Sequence, residues 1–402
     1  MAAVSRVSFV TMLAGRDGGV AVHALESAGA LSAAGHDVTI ICARADADAS
    51  APVPVVEAPE LAEPGSPAAE LALKRALHDS QPDIVQIHDL ADPRTVAVAR
   101  RSAPTIVSAH GYPGCTHNNH YFAPGVECQR AHGPGCLANI AVRGCYHARN
   151  PIPVPRMYRQ TTRRLAAYAM ADGVVAYSEA VIRHLARNGV QGRLVRYITS
   201  LERRDDAPDP PAGSREVLFV GRVVPAKGLE PLLQAVAGID AQLTVTGDGW
   251  SRRASEAIAR ELGIAARVRF TGWKNGEALV GEYHRCNVVV VPSLWPEPFG
   301  IVGLEAMAQR RPVVASTTGG IGDWLQDGVT GLGVQPGNVA QLRAALARIL
   351  DQPALQVAMG AAGRAAVEEH FSEQAHVAAL QAEFAAATQR RGARARMGEV
   401  RG

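Results

Sequence analysis

The sequence has 402 residues, more than a single hydrophobic core usually supports, so we expect two domains of about 200 residues each. Hydrophobic residues make up 47% of the chain but aromatic residues only 5%, which is typical of helices packed on sheets. The 41 Lys and Arg residues nearly balance the 38 Asp and Glu residues, which argues against a nucleic-acid partner. Neither a membrane-spanning stretch nor a secretion signal is recognisable, so we expect a cytoplasmic protein.

The first half of the sequence alternates strand and helix patterns. Apolar runs predict strands at residues 4–10, 38–42, 83–88, 105–110 and 173–177, and the 3.6-residue period predicts a helix at residues 20–34. A strand, a helix and a second strand in this order form a parallel βαβ unit. Gly18 and Gly19 lie at its first turn, where they let backbone amides approach a phosphate, although an ordinary tight turn also explains them. We therefore predict a doubly wound first domain over residues 1–202.

A second alternating region follows a linker, residues 203–213, that is rich in proline and charge. Strands are predicted at residues 217–220, 242–246, 268–270 and 288–291, and helices at residues 229–237, 251–262, 276–285 and 300–309. This alternation predicts a parallel sheet that binds ligands at the carboxyl ends of its strands. We assign residues 214–372 to this nucleotide-sugar domain. Residues 373–402 are predicted to form a helix followed by a disordered, arginine-rich tail that begins at Arg390.

The most informative segment, residues 296–305, places two carboxylates around the start of a helix. Glu297 lies between prolines that favour an extended loop, whereas Glu305 lies on the helix. Because a carboxylate accepts two hydrogen bonds from neighbouring hydroxyls, Glu297 suits a sugar and Glu305 a ribose. Backbone amides at the helix start can bind an anion or hydroxyls, namely those of Phe299, Gly300 and Ile301. The pattern predicts a sugar-nucleotide site, the alternative being a solvated helix end.

Two cations lie in the loop after the first strand of the second domain. Arg222 and Lys227 are placed there to clamp a diphosphate, because a guanidinium and an ammonium group can neutralise charge on a departing nucleotide. Solvated surface cations are the alternative. Gly247, in the next loop, and Trp273, one loop further, are candidates for binding the donor, with Trp273 lining the base site.

A cluster of cysteines and histidines lies in a Gly- and Pro-rich insertion, at about residues 111–150. Its members are Cys115, Cys128, Cys136 and Cys145 together with His117, His120, His132 and His147. Zinc favours four thiolate or imidazole ligands, so the four cysteines are candidates for a structural zinc site. The insertion has no Cys-x-x-Cys pair, and free thiols or disulfides remain alternatives.

A basic segment follows the insertion, with arginines at positions 143, 149, 156, 159, 163 and 164. Its partly amphipathic pattern is compatible with peripheral contact with anionic lipid at the inner membrane face. A solvated helix face is the alternative interpretation, and the one that we favour.

Taken together, these motifs resemble the family-4 retaining glycosyltransferases of the GT-B fold, in which two Rossmann-like domains face each other across a cleft. The similarity covers nearly the whole chain, and the cysteine-rich insertion is similar to that of some members. The resemblance implies that the first domain, with this insertion, is on the acceptor side. The resemblance implies that Glu305 binds ribose hydroxyls, Glu297 the donor sugar, and Arg222 and Lys227 the diphosphate. It also implies that His110, at a strand end of the first domain, orients the donor sugar.

The resemblance implies a retaining transfer of a hexose from a UDP- or GDP-sugar to an unknown acceptor hydroxyl. No side-chain nucleophile is evident, so the leaving phosphate is expected to take the proton of the acceptor. Catalysis is expected to need no metal, because the two cations supply the positive charge. A non-catalytic protein that binds nucleotide sugars and a nucleotide-sugar epimerase are the alternatives. One departure from the family pattern is Gly322-Asp323, where the family usually has proline and glutamate.

Overall fold

The computed structural model describes residues 5–15, 18–46, 51–115, 127–143, 145, 153–199 and 207–396. The chain divides into two compact units. The N-terminal unit combines Met1–His120, Gln129–Ile198 and Ser372–Gly402, and the C-terminal unit combines Tyr121–Cys128 and Thr199–Phe371. The last segment of the chain therefore belongs to the N-terminal unit.

The N-terminal unit contains a seven-stranded sheet with the order β3-β2-β1-β4-β5-β6-β7, in which every pairing is parallel. Its strands are β1 Arg6–Ala14, β2 Asp37–Ala45, β3 Val55–Glu57, β4 Ile84–Ile87, β5 Thr105–Ala109, β6 Gly173–Ala176 and β7 Arg193–Leu194. Its helices are α1 Gly19–Ala33, α2 Pro67–Ser80, α3 Pro93–Ser102, α4 Gly135–Arg143, α5 Val154–Met170 and α6 Glu179–Arg187. A short 3-10 helix spans Pro59–Ala62.

The C-terminal unit contains a six-stranded parallel sheet with the order β10-β9-β8-β11-β12-β13. Its strands are β8 Glu216–Val220, β9 Gln242–Thr246, β10 Val268–Gly272, β11 Val288–Val291, β12 Val313–Ser316 and β13 Gly331–Val334. Its helices are α7 Leu229–Ala237, α8 Arg252–Glu261, α9 Gly276–Arg285, α10 Ile301–Ala308, α11 Val339–Leu350 and α12 Pro353–His370. Three 3-10 helices span Pro225–Lys227, Ala265–Arg267 and Gly320–Asp323.

Both units confirm the predicted fold class of parallel α/β sheets. All four valines of β11 are buried, as expected for a strand that is covered on both faces. Four elements begin and end as predicted from the sequence, namely α7, β9, α9 and β11. Strand β1 begins two residues later than predicted and continues to Ala14.

The C-terminal helix α13 spans Glu373–Arg396. The prediction of a disordered tail from Arg390 is therefore wrong for residues 390–396. Arg390 donates to the carbonyl of Asp172 at 2.5 Å, and the Arg394 guanidinium lies 3.5 Å from the Asp172 carboxylate. Arg391 donates to the carbonyl of Arg100. The arginines of this segment are therefore fixed by acceptors in the N-terminal unit, which sequence spacing does not reveal.

Four arginines of the basic segment, at positions 156, 159, 163 and 164, lie on α5, whereas Arg143 ends α4. Arg163 is bound to the carboxylate of Asp92 at 2.8 Å, whereas Arg156 and Arg159 are exposed. Arg149 lies outside the described residues. Lipid contact by this helix remains a prediction. Within the described ranges, no helix combines the length and the apolar character that crossing a membrane requires.

Candidate functional site

The candidate site of the C-terminal unit lies where its strand order reverses. Strands β8 and β11 are neighbours at the centre of the sheet, and successive strands are added outward from them in opposite directions. In a doubly wound sheet this arrangement leaves a crevice at the carboxyl ends of the two central strands. The loops that leave these ends carry Arg222, Lys227 and Glu297.

The two loops touch through their backbones. Lys227 ends a short 3-10 helix and is followed by Gly228, which adopts φ 72°. A Cβ atom at Gly228 would lie 1.9 Å from the carbonyl oxygen of Pro292, so only glycine fits there. The Leu294 amide also donates to the carbonyl of Ala226 at 2.9 Å. These contacts hold Lys227 beside the loop that carries Glu297.

Lys227 and Glu297 form an ion pair with 2.6 Å between Nζ and Oε1. The same oxygen accepts hydrogen bonds from Ser293 Oγ at 2.5 Å and from Trp295 Nε1 at 3.0 Å. The Lys227 Nζ also lies 5.5 Å from the centroid of the Trp295 ring. Because Glu297 is only 3% exposed, these partners offset the cost of burying its carboxylate. The site is therefore a pre-organised cluster of one carboxylate, one ammonium group and two neutral donors.

A third loop supports Glu297 from its backbone. The amide of Gly320 donates to the Glu297 carbonyl at 2.7 Å. A Cβ atom on Gly319 would lie 2.1 Å from that carbonyl oxygen, and Gly319 has φ 65°. Glycine at position 319 is therefore required by this close approach. Gly322, where the sequence departs from the family pattern, has open space around it and makes no comparable contact among the described residues.

Helix α10 begins at the same edge of the sheet. Gly300 adopts φ 81° and precedes Ile301, the first helical residue, and no side chain caps the helix. Phe299 is buried, and its carbonyl accepts a hydrogen bond from the Trp324 indole at 2.7 Å. Gly303 leaves room for the Trp324 ring, because a Cβ atom there would lie 2.1 Å from it. The helix start thus has a fixed position and an uncapped amino end.

Glu305 has different surroundings from Glu297. It lies on α10, is buried, and accepts a hydrogen bond from the Tyr283 hydroxyl at 2.8 Å. Burial raises the pKa of Glu305, and the hydrogen bond from Tyr283 opposes this effect. Tyr283 was missed by the sequence analysis, because it occupies an ordinary apolar position of α9. Ser293 was missed as a partner of Glu297 for a similar reason, since loop serines carry no distinctive pattern.

Other predicted donor residues lie on neighbouring loops of the same sheet edge. Arg222 is exposed, and no hydrogen bond in the described part of the chain joins its side chain to Glu297. Gly247 has φ 132°, and a Cβ atom there would lie 1.9 Å from the carbonyl oxygen of Gly221. Its amide donates to the carbonyl of Gly272 at 2.8 Å, which joins the loops after β9 and β10. Trp273, the next residue, is 63% exposed.

Gly18, Gly19 and His110 lie in the N-terminal unit. Gly18 adopts φ 99° and precedes α1, which begins at Gly19. His110 follows β5, and both its ring nitrogens are engaged: Nε2 lies 3.0 Å from His88 Nδ1, and Nδ1 lies 3.2 Å from the Tyr197 hydroxyl. Burial, together with the nearby His88, lowers the pKa of His110 well below its usual value. His110 is therefore neutral and bound within its own unit. Its role toward the sugar remains a prediction.

His110 belongs to a buried group of histidines. His376 on α13 faces the carbonyl of Arg196 with Nδ1 at 2.7 Å, so that Nδ1 carries the proton and Nε2 accepts from Ser27 Oγ, also at 2.7 Å. His23 Nε2 lies 3.3 Å from the same hydroxyl, and its ring packs 5.4 Å from that of His110. Burial lowers the pKa of His88 to about 3 and that of His376 to about 4. The group connects α1, β4, β5 and α13 through neutral rings.

The predicted zinc site is not formed in the part of the chain that the structure describes. There, no three His, Cys, Asp or Glu side chains are grouped so that they could hold a metal ion. None of the six cysteines, all of which lie within the described residues, forms a disulfide, so the disulfide alternative is wrong. Cys115, Cys128, Cys136 and Cys145 lack the paired spacing that brings ligands together locally. The insertion histidines His117, His120 and His147 lie outside the described residues.

Each half of the chain matches the model of a known protein family. The model of the family described as "Glycosyltransferase Family 4" matches residues 17–199, and that of "Glycosyl transferases group 1" matches residues 202–366. The chain therefore belongs to the family-4 glycosyltransferases.

One relative and two solved structures illustrate the similarity. An uncharacterised glycosyltransferase of Methanocaldococcus jannaschii is 40% identical over 138 residues, which cover 33% of this chain and 35% of that protein. The first curated relatives are matched over only 35–41% of their length. Sucrose-phosphate synthase of Thermosynechococcus elongatus has a TM-score of 0.72 at 24% identity, covering 93% of this chain and 97% of that one. Anabaena HepE, solved in complex with UDP-glucose, has a TM-score of 0.68 at 16% identity, covering 94% and 99%. The fold is thus that of the GT-B glycosyltransferases.

Proposed function

We propose that this protein transfers a hexose from a nucleotide diphosphate sugar to a hydroxyl of an acceptor, with retention of the anomeric configuration. The observation that carries the proposal is the ion pair of Lys227 and Glu297 at the reversal point of the C-terminal sheet. A buried carboxylate held by an ammonium group is suited to a ligand that has both hydroxyls and negative charge. A nucleotide diphosphate sugar has both. The complex of HepE with UDP-glucose supports this class of donor.

Each group at the site has a task in this reaction. Glu297 accepts hydrogen bonds from hydroxyls of the donor sugar, and Lys227 with Arg222 binds the diphosphate. The uncapped start of α10 adds its amides and the positive end of its dipole. Glu305 binds the ribose hydroxyls while Tyr283 holds one of its oxygens. Trp273 offers an exposed indole face on which a nucleobase can stack.

The chemical step needs no side-chain nucleophile. The acceptor oxygen bonds to the anomeric carbon on the face from which the diphosphate departs, so the configuration is kept. The bond between that carbon and the diphosphate oxygen breaks, and the leaving phosphate oxygen takes the proton of the acceptor hydroxyl. Lys227 and Arg222 stabilise the charge that develops on the leaving group, which is the largest contribution expected from the protein. Under this proposal a divalent metal ion is dispensable.

The proposal is tested by binding and turnover together. A thermal-shift screen of UDP- and GDP-sugars identifies the donor, because a ligand that binds the folded state raises its melting temperature. Release of the nucleotide is then followed with a panel of hydroxyl acceptors, in the presence of EDTA. We expect nucleotide release that depends on an acceptor and falls in Lys227→Met. Arg269→Ala is the matched control, because it removes a cation on β10 that lies 2.9 Å from another buried carboxylate, Glu282 on α9.

The alternatives predict different results. A nucleotide-sugar epimerase forms its product without any acceptor, and a non-catalytic binding protein shows a thermal shift without turnover. If Lys227→Met and Arg269→Ala released nucleotide equally fast, the proposed site would be wrong.

A further inference from the structure

The N-terminal unit has its own reversal of strand order. Strands β1 and β4 are neighbours in the middle of its sheet, with β2 and β3 added on one side and β5, β6 and β7 on the other. By the same rule as in the C-terminal unit, a ligand crevice lies at the carboxyl ends of these two strands. Asp89 follows the end of β4 by two residues and therefore lies at this edge.

Other residues bind the Asp89 carboxylate through only one of its oxygens. Oδ1 accepts a hydrogen bond from the Met12 amide at 2.7 Å and another from Thr11 Oγ1 at 3.2 Å, which ties it to β1. Within the described ranges, no other residue donates a hydrogen bond to Oδ2, and no Lys or Arg forms an ion pair with Asp89. The residue is exposed. One oxygen is thus fixed by β1, and the other is available to a ligand at this exposed edge.

Asp83 also joins β4 to β1, but both of its carboxylate oxygens are bound by another residue. It precedes β4 at the opposite edge of the same two strands, and its Oδ2 accepts from the Arg6 amide at 2.8 Å. Its second oxygen, Oδ1, is bound by the Arg6 guanidinium at 3.4 Å. Both aspartates therefore tie β4 to β1, but only Asp89 keeps an oxygen for another group. Holding the strands together does not account for that oxygen.

The chemistry of Asp89 selects the class of ligand. An ionised carboxylate accepts hydrogen bonds from hydroxyls but repels phosphate and carboxylate groups. Desolvation raises the pKa of Asp89, and hydrogen bonds from Met12, Thr11 and its own amide oppose this effect only in part. Since the donor site is in the C-terminal unit, a hydroxyl-rich ligand at this edge is the other substrate of the proposed reaction.

We propose that Asp89 Oδ2 accepts a hydrogen bond from a hydroxyl of the acceptor, and that the part of the acceptor bound there is a neutral polyol such as a sugar. The proposal rests on the proposed function, because it needs a glycosyl acceptor. Thr11 and the Met12 amide act as positioning groups that hold the carboxylate in place.

Asp89→Asn tests this assignment. The asparagine keeps an oxygen for Met12 and Thr11 but turns the outward-facing acceptor into a donor. Nucleotide release is measured with water alone, with neutral hexoses and alkyl glycosides, and with their 6-phosphates. We expect Asp89→Asn to raise the KM for the best neutral acceptor by about 10- to 100-fold. The KM for the donor and the slow hydrolysis by water should not change.

Asp83→Asn is the matched control and should leave the KM for the acceptor unchanged. Thr11→Val is a second variant, which should raise the same KM by a smaller factor and gives a result even if Asp89→Asn does not fold. The assignment would be overturned if the KM for the acceptor stayed unchanged in both Asp89→Asn and Thr11→Val, or if Asp89→Asn and Asp83→Asn changed it equally. It would also be overturned if the wild-type protein transferred only to phosphorylated acceptors. Failure of the wild-type protein to transfer to any acceptor would instead overturn the proposed function.

Discussion

Replacing Lys227 by methionine should separate the contribution of the site to activity from its contribution to stability. The substitution keeps the length of the side chain but leaves the buried Glu297 without its cation. Breaking a fully buried pair in this way costs about 3–5 kcal/mol. Here Ser293 and Trp295 still donate to the same oxygen, and the Lys227 side chain is 23% exposed. We therefore expect a loss of about 1–2 kcal/mol in the free energy of unfolding.

The loss of activity should be larger. Under the proposed mechanism Lys227 stabilises charge on the leaving diphosphate, and one such group contributes about 3–4 kcal/mol to the transition state. This corresponds to about a 100- to 1,000-fold fall in kcat. Unfolding in urea measures the first quantity, and nucleotide release at saturating donor measures the second.

The double variant Lys227→Met with Glu297→Gln distinguishes the two effects. Replacing both partners by neutral groups should restore most of the stability, because no buried charge is left unpaired. It should not restore activity, since the cation and the carboxylate are both missing. Turnover at the wild-type rate in Lys227→Met, or activity that returns together with stability in the double variant, would refute this reasoning.

Two further predictions concern stability. Burial lowers the pKa of His88 to about 3 and of His376 to about 4, against about 6.5 in an unfolded chain. The unfolded state therefore binds more protons below pH 6.5, and stability should fall as the pH drops toward 4, by up to about 1.4 kcal/mol per pH unit for each histidine. Equal unfolding free energies at pH 7 and pH 5 would contradict this. Gly228→Ala should destabilise the protein and weaken donor binding, because its Cβ would lie 1.9 Å from the Pro292 carbonyl. Gly263→Ala, at a similar φ of 69° but in open space, should cost only about 1–2 kcal/mol, and a thermal-shift comparison of the two variants measures the difference.

Much of the fold could be predicted because its signals are local. The valine run of β11 and the apolar spacing of α7 and α9 each fix an element over a few neighbouring residues. The end of α13 could not be predicted, since Arg390 is ordered by an acceptor, Asp172, that lies 218 positions away in the sequence. A disordered basic tail would have the same local composition, so composition alone does not distinguish the two cases.

The residues of the candidate site likewise differ in whether a local sequence signal predicts them. Glu297 and Lys227 stand out because their flanking prolines and glycines mark tight loops at strand ends. Tyr283 and Ser293 do not stand out, since a buried tyrosine on a helix and a serine in a loop are common everywhere. The group around His110 was equally hidden, because its members come from two strands and two helices that only the folded unit brings together.

The position of α13 affects the order in which the chain can reach its native state during synthesis. Every residue of the C-terminal unit leaves the ribosome before this helix does, although it completes the N-terminal unit. Until then, the Ser27 hydroxyl lacks His376, and Asp172 lacks Arg390. The N-terminal unit, whose synthesis begins first, is consequently the last to complete its fold. A chain truncated after Phe371 should therefore complete its C-terminal unit but leave that unfinished surface of the N-terminal unit exposed to chaperones.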